Sequence, residues 1–300
     1  MTIPQFERDL FCLQTAGFVV LPGFVSDDQL AALLPPLSAF EAEVEHYAKT
    51  AGKVNFTHGW PLLTTRCAYC VSEELQALAM SQRVQAMAQT YLGGAVIRDC
   101  LLQTNMPDPR SQARGLGGRL SYHRDTLWKD GPILPSYLHA FILLTDLTAE
   151  NGATFVVPGS HRLREPGYYF KHTEAGVREE GINYLVYDQA YFPSAVQILA
   201  PRGSLVFLDP MAIHSQGINV TEQRRTLVNI TFRAASIVGN PPLLNARKLA
   251  LEAARVPLRP DFLALLEDRA ELPAHFGPLG TAPEAQAEAA GQPVWERVVV

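Results

Sequence analysis

Ser204-Leu205-Val206-Phe207-Leu208 and Thr226-Leu227-Val228-Asn229-Ile230-Thr231-Phe232-Arg233 are short runs rich in branched and aromatic side chains. Such side chains pack well on a pleated surface, so both runs read as strands. Working outward, five more runs share the texture: Val96–Thr104, Leu120–His123, Leu138–Leu144, Thr154–Val157 and Val196–Leu199. Gly, Pro, Asn and Asp punctuate the stretches between them. A succession of short strands of this kind predicts a sandwich or barrel rather than alternating βα units.

The flanks read differently. Gln5–Ala16 has apolar residues at helical spacing and stops at Gly17, and Phe18–Leu21 is a short β run closed by Pro22-Gly23. Ser26 is a good N-cap for a helix that Pro35-Pro36 should interrupt and Leu37–Ala48 resume. Ser72–Met80 and Gln82–Leu92 are two more helices, and after Gly239-Asn240-Pro241-Pro242 helix returns over Asn245–Arg255 and Asp261–Ala270. The expectation is mainly β with flanking helices in a single domain, 1–300. Its parts are a helical segment 1–94, a β core 95–235, C-terminal helices 236–275 and a loose tail 276–300.

Composition narrows the function classes. Of 300 residues, 47% are hydrophobic and 18% charged, which is too apolar for a disordered chain. The net charge of −5 argues against a generally basic nucleic-acid binder. No apolar run approaches the roughly 18 residues of a spanning helix, and the opening MTIPQFERDLFCLQ carries acids where a signal peptide would be basic. The expectation is a soluble, cytoplasmic protein with neither nucleic acid nor membrane as partner. Cys67 and Cys70 form a CxxC with no second pair to complete a zinc site, so they read, like Cys12 and Cys100, as reduced thiols.

Chemistry concentrates in Ser121-Tyr122-His123-Arg124-Asp125. Residues i and i+2 of a strand share a face, so His123 and Asp125 present an imidazole and a carboxylate side by side. A further His would complete the two-His, one-carboxylate triad that holds non-haem Fe(II) with positions left open. HRD also opens the kinase catalytic loop, but the Asn, the VAIK-type lysine and the DFG that reading needs are missing. His214, beyond the strand Ser204–Leu208, is the best-placed third ligand. A hairpin centred between Asn219 and Val220 would set Arg225 across from it, where a guanidinium could clamp a dicarboxylate co-substrate. Arg224 would face the other way. His161 and His139 read as packed structural residues.

Four segments, in order, resemble the phytanoyl-CoA dioxygenase family of Fe(II)/2-oxoglutarate oxygenases. They are the opening Gly17-Phe18-Val19-Val20-Leu21-Pro22-Gly23-Phe24; His123-Arg124-Asp125; Asn151-Gly152 through Pro158-Gly159-Ser160-His161-Arg162; and Gly203–Phe207 followed by His214, Asn219 and Arg225. The resemblance implies a double-stranded β-helix (jelly roll, cupin-like). It places the metal on His123, Asp125 and His214 and the distal carboxylate of 2-oxoglutarate on Arg225. Gln103, Thr126 and Trp128 match positions that line the co-substrate pocket. One departure stands out: the family often has Ser two residues past the distal His, where this chain has Gln216.

The implied activity is hydroxylation of an unactivated C–H bond in a small organic molecule, of the kind met in secondary metabolism. It consumes O2, decarboxylates 2-oxoglutarate to succinate, and in vitro takes ascorbate as reductant. Related halogenases carry Ala or Gly in place of the carboxylate, so Asp125 argues for hydroxylation or a related oxidation such as desaturation, ring closure or epoxidation. The alternative is a metal-binding cupin-like protein without oxidative turnover, either a sensor or a zinc hydrolase or isomerase, but Arg225 then has no task. The aromatic-rich stretch from Pro166 to Pro193 reads as a substrate lid, with Arg66, Tyr69, Arg119 and Lys171 as candidate contacts to a polar group.

Overall fold

The computed structural model describes residues 4–50, 62–107, 122–125, 135–163, 194–236 and 254–266. Helix α1 (Gln5–Ala16) stops where Gly17 turns left-handed (φ 84°) and its N–H closes on the Leu13 carbonyl at 2.9 Å. The chain passes directly into strand β1 (Phe18–Leu21). Helix α2 (Asp27–Thr50) opens with a reciprocal cap: Gln29 N–H donates to Ser26 Oγ (3.2 Å) and Ser26 N–H to Gln29 Oε1 (3.1 Å).

Pro35 and Pro36 do not interrupt α2, contrary to the sequence expectation. Leu30, Leu33, Leu37, Phe40 and Val44 are all buried, and steps of three and four carry them down one face through both prolines. A proline inside a helix costs about 3 kcal/mol. Burying each of these side chains stabilises by about 1.5–3 kcal/mol, so packing outweighs the break.

Strand β2 (Leu62–Thr65) lies in a stretch the sequence leaves unassigned. Helices α3 (Glu73–Ala79), capped by Ser72, and α4 (Gln82–Leu92) lead into β3 (Ala95–Asn105). Then come β4 (Tyr137–Leu143), β5 (Phe155–Val156), β6 (Val196–Gln197), β7 (Leu205–Leu208), β8 (His214–Ser215) and β9 (Arg225–Ala234), and finally α5 (Pro260–Leu265). Of the first C-terminal helix expected, only residues 254 and 255 are described, and they are not helical. The loop Gly115–Gly118, the stretch between Pro166 and Pro193, and the tail lie outside the described residues.

Two antiparallel sheets face each other. The larger runs β1-β7-β4-β9-β3-β2 and the smaller β6-β5-β8, with an isolated bridge joining His123 to His214. Alternation sorts the large sheet's side chains. Leu138, Ala140, Ile142, Leu205, Phe207, Val228, Ile230 and Phe232 form one core with the helices. Phe141, Leu143, Val206, Leu208 and Leu227 face inward and pack on Ala153, Val156, Ile198 and Ala200. This is the jelly roll, with helices covering its outer face. Cys67, Cys70 and Cys100 are buried free thiols, and burial, aided by Asp99, pushes Cys70 up to about 12. No described helix is long and apolar enough to cross a membrane.

Candidate metal centre

His123 and His214 exchange backbone hydrogen bonds, His123 N–H to the His214 carbonyl at 2.8 Å and the reverse at 3.0 Å. Residues paired in this way project their side chains to one face, and the two ring centroids are 4.5 Å apart. Asp125 follows two residues after His123, its N–H tied to the Pro210 carbonyl at 3.0 Å. Its Oδ1 lies 3.2 Å from His123 Nε2 and 3.7 Å from His214 Nε2. The three ligand atoms all lie within 4.8 Å of one another. Metal bonds of about 2.1 Å at right angles would put neighbouring donors about 3 Å apart, so a small contraction closes the set.

Protonation suits a ligand role. His214 Nδ1 is 2.7 Å from the Ala212 carbonyl, which only accepts, so Nδ1 carries the proton and Nε2 presents a lone pair. Burial pushes His214 down to about 4 against the opposing pull of Asp125. Burial alone would raise the Asp125 carboxyl; interaction with His214 and hydrogen bonds from His123 and His139 outweigh it and hold the group well below the usual carboxylate range.

Arg225 opens β9 opposite Asn105 of β3, and Gln103 pairs with Leu227 in the same ladder. Arg225, Asn105 and Gln103 therefore share the inner face, with Gln103 half-buried. Arg225 is 3% exposed. Its Nη2 donates to the Gly152 carbonyl (2.8 Å), its Nε has no partner among the described residues, and none of their carboxylates pairs with it. Burial pushes it down to about 10. Gly152 itself is left-handed (φ 84°), and a Cβ there would land on the Asn105 side-chain amide, so this cradle requires glycine. A buried cation with an orphaned donor and no counter-charge among the described residues suits an incoming carboxylate. Arg224 points the other way and pairs with Glu41 (2.9 Å) and Glu45 (2.8 Å) of α2.

The hairpin expected to set Arg225 across from His214 does not form. His214 pairs with His123 and Val156 in one sheet, while Arg225 pairs with Asn105 in the other. The Asn219 side chain donates to the Asn105 and Gln223 carbonyls and accepts from Thr221, so it closes a local turn that carries the chain between sheets. Gln216, two residues past His214, has a buried side-chain nitrogen with no partner among the described residues. Thr126, Trp128, Arg119 and Lys171 lie outside the described residues. Arg66 is paired with Asp99 (2.9 Å), and Tyr69 is fully buried with its ring centroid 5.0 Å from that of Phe262. His161 is buried with Nε2 3.1 Å from the Gln14 carbonyl, a packing role.

His139 is the residue the sequence reading misses. It is buried, as expected of a core residue, but its Nε2 lies 2.9 Å from Asp125 Oδ2 and its Nδ1 3.2 Å from Thr231 Oγ1. The available signal was alternation: in β4 the apolar Leu138, Ala140 and Ile142 face the helices, which turns His139 inward.

The phytanoyl-CoA dioxygenase family profile matches residues 13–227, well over half of the chain. The chain belongs to the phytanoyl-CoA dioxygenase family. Within it, this protein is 27% identical over 290 residues to an ectoine dioxygenase of Bordetella parapertussis, covering 88% of this chain and 86% of the relative. It is 26% identical over 252 residues to the L-proline trans-4-hydroxylase of Streptomyces griseoviridis, covering 77% and 89%. Among solved structures, the epimerase SnoN in complex with Fe3+, alpha ketoglutarate and nogalamycin RO shares the fold. Its TM-score is 0.53 at 20% identity, over 79% of this chain and 86% of SnoN. This family member, with its His-Asp-His cluster, is a 2-oxoglutarate-dependent oxygenase that works with Fe(II) and O2.

Proposed function

We propose that this oxygenase hydroxylates an unactivated C–H bond of a small organic molecule. In this reading His123, Asp125 and His214 hold Fe(II), and Arg225 binds the distal carboxylate of 2-oxoglutarate. The observation that carries it is the pairing of two features: three convergent ligand atoms, and on the facing wall a buried arginine without a counter-charge among the described residues. The curated relatives are named for ectoine and L-proline, which supports a small organic substrate. A place in secondary metabolism belongs to the same proposal.

Iron held by His123, Asp125 and His214 would, with 2-oxoglutarate and O2, supply the oxidising power, with succinate and CO2 as co-products. The chain supplies geometry. A two-His, one-carboxylate set leaves positions open for the co-substrate. Arg225 orients the 2-oxoglutarate chain from its far end, where burial strengthens the ion pair. Leu143, Val206 and Leu227 make the inner wall apolar and keep bulk water away. Gln103 lies one ladder step from Arg225 and would line the same pocket. Thr126 and Trp128, which match the family motif, belong to the same proposal.

The test is succinate release from 2-oxoglutarate with Fe(II), ascorbate and a panel of small substrates, compared with Zn(II)-loaded protein. Turnover with Fe(II) alone, lost in His214→Ala, is the expected result. Activity retained with Zn(II) would favour a hydrolase or isomerase.

A further inference from the structure

Asp125 has two oxygens with separate partners. Oδ1 faces the histidine ligands, 3.2 Å from His123 Nε2 and 3.7 Å from His214 Nε2. Oδ2 faces away from them, 2.9 Å from Nε2 of His139. A carboxylate only accepts, so Nε2 of His139 carries the proton. In a neutral imidazole Nδ1 is then an acceptor, and it lies 3.2 Å from the Thr231 hydroxyl. His139 and Thr231 are direct cross-strand partners on β4 and β9, the central pair of the large sheet. The ring is packed as well, stacked near-parallel on Phe141 with centroids 5.7 Å apart. Asp125 itself sits outside the regular strands, so its rotamer depends on what holds it.

We propose that His139 is a positioning residue that keeps Asp125 a one-oxygen metal ligand. The inference rests on the assignment of His123, Asp125 and His214 as ligands. With Oδ2 occupied by the Nε2 proton, only Oδ1 is free for the metal. Three one-oxygen or one-nitrogen protein donors would leave positions open on the metal for the 2-oxo acid and one further ligand. A carboxylate chelating through both oxygens would remove that last position. Asp125, which only accepts, selects the ring's tautomer, and Thr231, whose hydroxyl also lies 3.4 Å from Asn229 Oδ1, ties Nδ1 and holds the ring's orientation. The β4–β9 ladder, at the centre of the large sheet, thereby aligns a ligand carried on an irregular segment.

Two amide variants separate this role from simple core packing. His139→Gln places its amide where Nε2 stood and keeps a donor for Asp125. His139→Asn places its amide where Nδ1 stood, keeping Thr231 and abandoning Asp125. The readout is Co(II) titration of the full-length metal-free protein, followed by affinity and by the visible absorption that reports coordination. His139→Asn should bind Co(II) about 10- to 100-fold more weakly, as loss of an outer partner of a ligand typically does, with an altered spectrum. His139→Gln should recover most of the affinity and the wild-type spectrum. Equal, wild-type behaviour of both variants, or retention by Asn and loss by Gln, overturns the proposal. If circular dichroism shows that His139→Asn does not fold, Thr231→Val decides. It should weaken Co(II) binding at unchanged melting temperature, and unchanged binding refutes the role. Failure of the ligand assignment looks different, since His214→Ala would then bind Co(II) as wild type does.

Discussion

Replacing Arg225 by Met separates a residue kept for a ligand from one kept for the fold. Burial lowers the guanidinium from its ordinary value to about 10. At about 1.4 kcal/mol per pH unit, holding it charged costs the ligand-free protein about 3 kcal/mol. Its described compensation is a single bond to the Gly152 carbonyl, and a hydrogen bond to a charged group contributes about 1.5–3 kcal/mol. Methionine removes both effects and fills similar volume. Urea denaturation of metal-free Arg225→Met should therefore give a stability equal to wild type or up to about 1.5 kcal/mol higher. 2-Oxoglutarate binding should behave oppositely. Breaking a buried charge pair costs about 3–5 kcal/mol, so calorimetric titration of Mn(II)-loaded protein should show affinity lower by about two to four powers of ten. A variant that loses several kcal/mol of stability yet binds 2-oxoglutarate normally would refute the reasoning and make Arg225 a structural pillar.

Gly152→Ala should cost the same co-substrate affinity by a different route, since its Cβ meets the Asn105 amide and displaces the carbonyl that steadies Arg225; normal 2-oxoglutarate affinity in a calorimetric titration would contradict this. Arg224→Ala removes a partly exposed pair with Glu41 and Glu45 and should change stability by no more than about 1 kcal/mol, with 2-oxoglutarate binding unaltered. Acid should destabilise the metal-free protein through His214. Its folded pKa of about 4 lies below the ordinary 6.5, so between those values the unfolded chain binds more protons and stability falls as pH falls. From pH 7 to pH 5 this contributes about 2 kcal/mol, and urea midpoints of wild type and His214→Ala should show a steeper slope in wild type.

The sequence reveals the β core because strands covered on both faces read as nearly unbroken apolar runs, as in β4, β7 and β9. It brings His123 and Asp125 together because i and i+2 on extended chain share a face, and alternation sets Arg224 and Arg225 on opposite faces, but the hairpin register that selected Arg225 does not form. What it hides depends on distant contacts. Pro35 and Pro36 look like a helix break until the buried stripe from Leu30 to Val44 is set against them. The turn around Asn219 looks like a hairpin until the Asn105 carbonyl across the sheets draws in its side chain. His139 looks like a core histidine because nothing local links β4 to the segment holding Asp125; only folding brings Nε2 to within 2.9 Å of Oδ2.

The central claim is that His123, Asp125, His214 and Arg225 form one Fe(II)/2-oxoglutarate site. Its most direct test is anaerobic titration of metal-free protein with Fe(II) and then 2-oxoglutarate, watching for the weak visible metal-to-ligand charge-transfer band of a chelated 2-oxo acid. Wild type should show the band, His214→Ala should lack it, and Arg225→Met should show it only at much higher 2-oxoglutarate concentration. Folded, iron-loaded wild-type protein that gives no band, or a band that persists unchanged in His214→Ala, would contradict the claim.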